Sequence, residues 1–308
     1  MAGFVDGPVR VSVPATSANL GPGFDSLGLA LALRDELQAE VTGSGLVVEV
    51  SGAGADDVPR DESHLVVRSM REGFRAMKAD PAGLRLTCRN QIPHSRGLGS
   101  SSAAIVAGLA LARSLVAGGA LLMDDELLFA LAADIEGHPD NVAPALHGGL
   151  VISGREDGRF FSVPTHVDPR VSVVVFVPPT PVQTSVARGL LPDSVPHADA
   201  AANSGRTALL VAALAGKPDL LALATRDFLH QDYREPAMPE SLALVRALRA
   251  DGHAAVISGA GPTVLAFTDG PAQPFAGWST GPSSLIARCP EGWEALHLAV
   301  DLDGVAAG

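Results

Sequence analysis

An alternating segment, Leu84 to Cys88, leads through the loop Pro93 to Ser101 into an apolar stretch from Ser102 to Met123. This succession of strand, glycine loop and helix constrains the chain more than any other feature. Gly97 and Gly99 let the backbone approach a ligand or adopt positive φ, and Ser100, Ser101 and Ser102 stand where a helix leaves its first amides unpaired. Those amides and the helix dipole attract phosphate. The run is not a Walker A loop, because no Lys-Ser/Thr pair follows its last glycine, and it lacks the third glycine of a dinucleotide fingerprint. Taken alone, it reads equally well as a glycine turn with a serine N-cap. Arg113 and Gly118-Gly119 interrupt the apolar stretch, so it reads as a buried helix and not as a membrane span.

Around this anchor the pattern is mixed. Val9 to Val13 alternates and meets Pro14, which predicts an edge strand entering a loop. Leu27 to Leu33, Glu36 to Val41 and Leu46 to Val50 continue as strands, and Ser63 to Met77 has the spacing of an amphipathic helix with Lys78 at its solvated end. Glu126 to Glu136 predicts a helix closed at Gly137-His138-Pro139, and Leu150 to Ser153 a strand. Val171 to Val177 is apolar throughout, as in a strand buried on both faces. Helical patterns follow at Ala200 to Ala215, Leu220 to His230 and Glu240 to Asp251, then two short strands flank SGAGPT. Helices with an antiparallel pair indicate an α+β fold. The length of 308 residues suits two domains, divided in the polar stretch Gly154 to Pro169, hence 1–165 and 166–308.

Charge and cysteine content narrow the function. The net charge is −12 with no dense basic run, which argues against nucleic acid as a partner. Lysine occurs only at Lys78 and Lys217, so an anionic ligand must be gripped by arginine and backbone amides. Cys88 and Cys289 form neither a disulfide framework nor a zinc motif, and MAGFVDGPVR lacks the character of a signal peptide, so a cytoplasmic protein with no membrane partner is expected.

The run IPHSRGLGSSSA, Ile92 to Ala103, agrees at every position with the phosphate-loop signature of the GHMP kinases. PATSANLGPGFDSLG (Pro14 to Gly28) resembles the first motif of that superfamily and SGAGPT (Ser258 to Thr263) its third. Within it, ATSANLGPGFD, EGHPDNVAPALHGG (Glu136 to Gly149) and FLHQDYR (Phe228 to Arg234) are most similar to the homoserine kinase branch. The stretch from Gly270 to Gly308 carries no motif of the family.

The resemblance implies a two-domain GHMP kinase fold, with an N-terminal β-α domain like the second domain of ribosomal protein S5 and a C-terminal ferredoxin-like α+β domain. It implies ATP and Mg²⁺ as cofactors and L-homoserine as the substrate, converted to O-phospho-L-homoserine on the way to threonine. A homodimer is expected by family analogy alone. For ATP it points to Pro93, His94, Ser95, Arg96, Gly97, Leu98, Gly99, Ser100, Ser101, Ser102 and Ala103. Arg96 replaces the small residue common there, and its side chain is left unassigned between phosphate and solvent. Asp25 is expected to hold the substrate ammonium beside Asn19, and Arg188 and Arg234 the carboxylate as planar forks, with Thr184 and His138 as further contacts. Each alone reads as a solvated arginine, a turn cap or a helix stop.

Related mevalonate-type kinases carry an Asp where this chain has Asn141, and an amide is no base. Asn141, with Asp25, is therefore expected to orient the substrate, a division of labour that phosphoryl transfer tolerates. Ser100 and Glu136 are the expected magnesium ligands, with Asp134 and Asp140 near enough to compete. Gly259, Ala260 and Gly261 are expected to close the site. The alternatives are a kinase for an isoprenoid-pathway alcohol, a catalytically silent metabolite-binding homologue and, least favoured, an RNA-binding module.

Overall fold

The structure, a computed structural model, describes residues 3–269 and 281–308. In chain order it contains β1 (Val9–Ala18), β2 (Leu27–Thr42), β3 (Gly45–Gly52), α1 (Leu65–Ala76), β4 (Gly83–Asn90), α2 (Ser100–Leu115) and the single turn α3 (Gly119–Leu122). Next come α4 (Asp125–Glu136), α5 (Val142–His147), β5 (Leu150–Glu156), β6 (Arg159–Thr165), β7 (Val171–Val177), α6 (Thr184–Gly189) and α7 (His197–Gly216). The chain closes with α8 (Leu221–Ala224), α9 (Pro239–Ala250), β8 (Ala255–Ile257), β9 (Val264–Asp269), α10 (Pro282–Ile286), β10 (Glu294–Ala299) and β11 (Ala306–Ala307).

Two sheets organise these elements. One runs β11-β1-β2-β4-β3, with β5 and β6 continuing from β2, and the other is the antiparallel sheet β10-β7-β9-β8. The chain leaves the first sheet at Thr165 and enters the second at Val171, yet β11 returns to pair Val11 with Ala307 and Ser12 with Ala306. β1 thus lies inside its sheet and not on an edge. Pro14, expected to end the strand, sits at a register shift between Pro14 and Ala15, where a residue without an N–H is tolerated. The two segments expected over residues 27–41 are one continuous strand.

Small residues set the spacing of the helix layer. A Cβ on Gly108 would come within 2.6 Å of the Val66 carbonyl oxygen, and one on Gly73 within 2.9 Å of the Ala112 methyl, so α1 and α2 pack backbone to backbone. α2 stops at Leu115, because Val116 is extended and Gly118 takes a φ of 74°. The uniform apolarity of β7 reflects its place between two cores. Val173 and Val175 join the core shared with the first sheet, whereas Val174 and Phe176 pack with Leu242, Val245 and Leu248 of α9. One expected helix fails. Past Ala224 the chain turns, because Asp227 draws the amides of Leu229, His230 and Gln231 onto its carboxylate. Among the described residues, no helix is long and apolar enough to cross a membrane.

Candidate active site

The glycine loop ends in a sharply defined helix start. Gly99 is the N-cap of α2 at φ 70°, and no side chain caps the helix, so its first amides face the cleft where Gly97, Gly99, Ser100 and Ser101 form one wall. The loop cannot be made of larger residues. A Cβ on Gly99 would lie 1.9 Å from Thr16 Oγ1, and one on Gly97 would lie 2.3 Å from the Ser258 carbonyl oxygen. Thus the first motif presses on Gly99 and the third on Gly97. Ser258 reinforces this contact, as its hydroxyl bonds the Gly97 carbonyl at 2.6 Å and meets Ser17 Oγ at 2.8 Å.

The same cleft, of about 140 Å³, is lined by Asn19, Ser95, Glu136, His138, Asp140, Asn141, Thr184, Arg188, Arg234, Gly259 and Ala260. A larger hollow of about 530 Å³ on the open face of the first sheet, beside Arg10, Glu36 and Arg89, contains none of the motif residues. The smaller cleft is therefore the candidate site, because the motif residues converge there. Leu98 and Ala103 are buried in the core and are not among the residues lining the cleft. Pro93, His94 and Arg96 line a neighbouring hollow with Asp57 and Trp293. The Arg96 side chain is engaged by backbone carbonyls. Its Nε donates to the Pro178 carbonyl at 2.9 Å, its Nη1 to that of His94 at 3.0 Å, and its Nη2 to that of Pro179, which clamps the loop to the end of β7. No arginine or lysine side chain thus reaches into the loop from within it.

At the far end of the cleft, charge is arranged asymmetrically. Asp25, held at φ 51° by a hydrogen bond from its own amide to Asn19 Oδ1, pairs both carboxylate oxygens with Arg188 at 2.7 and 3.1 Å. That bond raises the Arg188 pKa above its ordinary value. Arg234 is 1% exposed and has no carboxylate at ion-pair distance among the described residues. Its Nη1 donates to His230 Nδ1 and to the Gly259 carbonyl at 3.0 and 3.1 Å, while Nε is buried without an acceptor. Burial, reinforced by the Arg188 charge, lowers its pKa to about 10, so it remains a cation at neutral pH. Phe24 stacks on His230 and lies under both guanidinium groups, 5.8 Å from Arg188 and 5.6 Å from Arg234.

Near the loop, Glu136 Oε1 accepts from the Ser101 and Ser102 hydroxyls, the latter at 2.9 Å, while Ser100 is a separate part of the wall. His138 bonds the buried Asp140 at 2.9 Å. Burial lowers the pKa of this histidine, but the hydrogen bond and charge of Asp140 more than offset it, and the net shift is upward. Asn141 Oδ1 accepts from the Thr16 hydroxyl at 2.8 Å, which leaves the amide NH₂ for the cleft. Thr16, Phe24 and His230 all lie inside quoted motifs, yet their roles depend on partners far away in sequence.

The GHMP kinases N terminal domain profile matches residues 64–149, and the GHMP kinases C terminal profile residues 209–276. The homoserine kinase of Streptomyces avermitilis is 53% identical over 299 residues, covering 97% of this chain and 95% of the relative. The chain belongs to the GHMP kinases, in the homoserine kinase family. That of Streptomyces coelicolor is 58% identical over 85% of this chain and 84% of its own. The crystal structure of homoserine kinase from Cytophaga hutchinsonii superposes with a TM-score of 0.82 at 25% identity, covering 98% of this chain and 97% of that one. Mevalonate kinase of L. major, at 18% identity and a TM-score of 0.74 over 97% of this chain and 98% of that chain, shares the fold. As a family member, the chain is an ATP-dependent kinase acting on a hydroxyl group.

Proposed function

We propose that this chain transfers the γ-phosphoryl group of ATP to the hydroxyl of L-homoserine, giving O-phospho-L-homoserine in threonine biosynthesis, in a reducing cytoplasm. The observation that carries the reading is the charge inventory of the cleft. Asp25 is paired with Arg188, Glu136 with the loop serines and Asp140 with His138, so Arg234 is left buried with no carboxylate at ion-pair distance among the described residues. An unpaired buried cation is costly unless a ligand anion completes it. A substrate α-carboxylate does so, and its ammonium takes Asp25 from Arg188, so that both ends of the zwitterion gain partners. Mevalonate and galactose have no ammonium for Asp25.

The reacting end follows from Asn141. Because Oδ1 is engaged by Thr16, the amide donates to the substrate hydroxyl oxygen and leaves its proton free to pass to the γ-phosphate, directly or through water. The α2 amides provide positive potential for the phosphates, and no lysine lines the cleft. Glu136 with a serine hydroxyl of the loop would hold Mg²⁺. One carboxylate plus hydroxyls suits a hard ion that keeps waters and phosphate oxygens, and the described residues contain no cluster of three or more His, Cys, Asp or Glu to form a cage. Such an ion neutralises charge on the phosphates during transfer. ADP release over homoserine, mevalonate and galactose tests the proposal. Homoserine is the expected substrate, preference for either other compound overturns it, and homoserine binding without ADP release in Mg²⁺ identifies a silent homologue.

A further inference from the structure

We propose that His230 is a positioning residue for the substrate carboxylate, holding Arg234 in the cleft through an unprotonated Nδ1. The inference rests on the homoserine reading above and adds a residue to it. Two partners determine the tautomer. His230 Nε2 lies 2.7 Å from the Gly21 carbonyl, an acceptor only, so Nε2 carries the hydrogen. Nδ1 then has its lone pair free, and the Arg234 Nη1 donates to it at 3.0 Å. The ring has no solvent exposure and stacks on Phe24 at 5.0 Å.

Neutrality is what suits the imidazole to this position. An arginine so deeply buried is usually held by a carboxylate, but a carboxylate here would cancel the charge that the substrate needs. A neutral acceptor fixes the fork and leaves its charge unspent. The nearest acid, Asp227, is 3.6 Å from Nε2, and its oxygens already accept the amides of Leu229, His230 and Gln231. The imidazole is also a bridge. Gly21 belongs to the loop that carries Asn19 and Asp25, so one ring ties the ammonium-binding loop to the carboxylate-binding arginine, 209 residues apart in sequence at its Gly21 contact.

Two substitutions separate the functions of the two nitrogens. In His230→Asn the side-chain oxygen can replace Nδ1 and the Gly21 contact is lost; in His230→Gln the amide can reach Gly21 and the Arg234 contact is lost. We expect His230→Gln to raise the homoserine KM by about tenfold, with ATP KM and kcat within about twofold, and His230→Asn to remain within about threefold of the parent. For 2-amino-1,4-butanediol, which lacks the carboxylate, all three proteins should have equal kcat/KM. The reverse order of the variants, or equal losses on both substrates, overturns the inference in favour of a purely structural histidine. ¹⁵N NMR of the unmodified protein provides a test independent of turnover and of variant folding. Nδ1 should be unprotonated at neutral pH, and a protonated Nδ1 refutes the proposal. A chain that phosphorylates no homoserine defeats the functional reading instead, and the tautomer measurement still decides this one.

Discussion

Replacing Asn141 by Asp distinguishes a donor from a base at the reacting end. The Thr16 hydroxyl lies 2.8 Å from Oδ1, and an aspartate accepts this bond as well as asparagine does, so the side chain should stay in place. What changes is the group presented to the cleft, from N–H to an anionic oxygen. Losing a preorganised donor at the reacting centre costs roughly 10² to 10³ in rate. The added charge repels the triphosphate by about 4 kcal/mol at a separation of about 4 Å and an effective dielectric of about 20, a further factor of roughly 10³. Asn141→Ala should therefore lower kcat by roughly 10², and Asn141→Asp, with both effects multiplied, by roughly 10⁵ or more. Single-turnover ADP formation at saturating ATP and homoserine measures both without interference from product release. An aspartate variant as fast as the parent would show that a base is the more useful group there, and an alanine variant near parental rate would show that Asn141 does not orient the hydroxyl.

Gly99→Ala should abolish ATP binding, measured by calorimetry, because the added Cβ meets Thr16 Oγ1 at 1.9 Å at a φ of 70°. Arg234→Met should raise the homoserine KM by roughly 10² or more while leaving the ATP KM within a few-fold, since a charged hydrogen bond to a carboxylate is worth about 1.5–3 kcal/mol and two are expected. Glu136→Gln should shift the Mg²⁺ dependence of turnover to higher concentration by at least about tenfold, and an unchanged titration removes Glu136 as a ligand. His138 has a raised pKa, so its pairing with Asp140 contributes stability that is fully present below the ordinary value of 6.5 and is lost as pH rises through the higher folded value. The stability difference between the parent and His138→Gln, followed by urea unfolding, should thus shrink from pH 6 towards alkaline pH, and a constant difference contradicts the shift.

Local chemistry made much of this protein legible. The strand, glycine loop and helix around Gly97 and Gly99, the amphipathic α1, the wholly apolar β7 and the family motifs are each stated within a short window, because periodicity and glycine placement act over a few residues. Such windows could not show that Asp227 would stop a helix by capturing three amides, nor that β11 would return to cover β1 and move it inside its sheet. They could not place Arg96, whose acceptors at Pro178 and Pro179 are 82 and 83 residues away. The candidate site residues could be proposed from their motifs, but not their state. Asp25 and Arg188 pair across 163 residues, Thr16 turns the Asn141 amide across 125, and only folding brings the Gly21 carbonyl to the imidazole that holds Arg234. The reason is physical. A residue's type limits which hydrogen bonds it can make, whereas tertiary packing decides which are already taken and therefore which donor, acceptor or charge remains for the substrate.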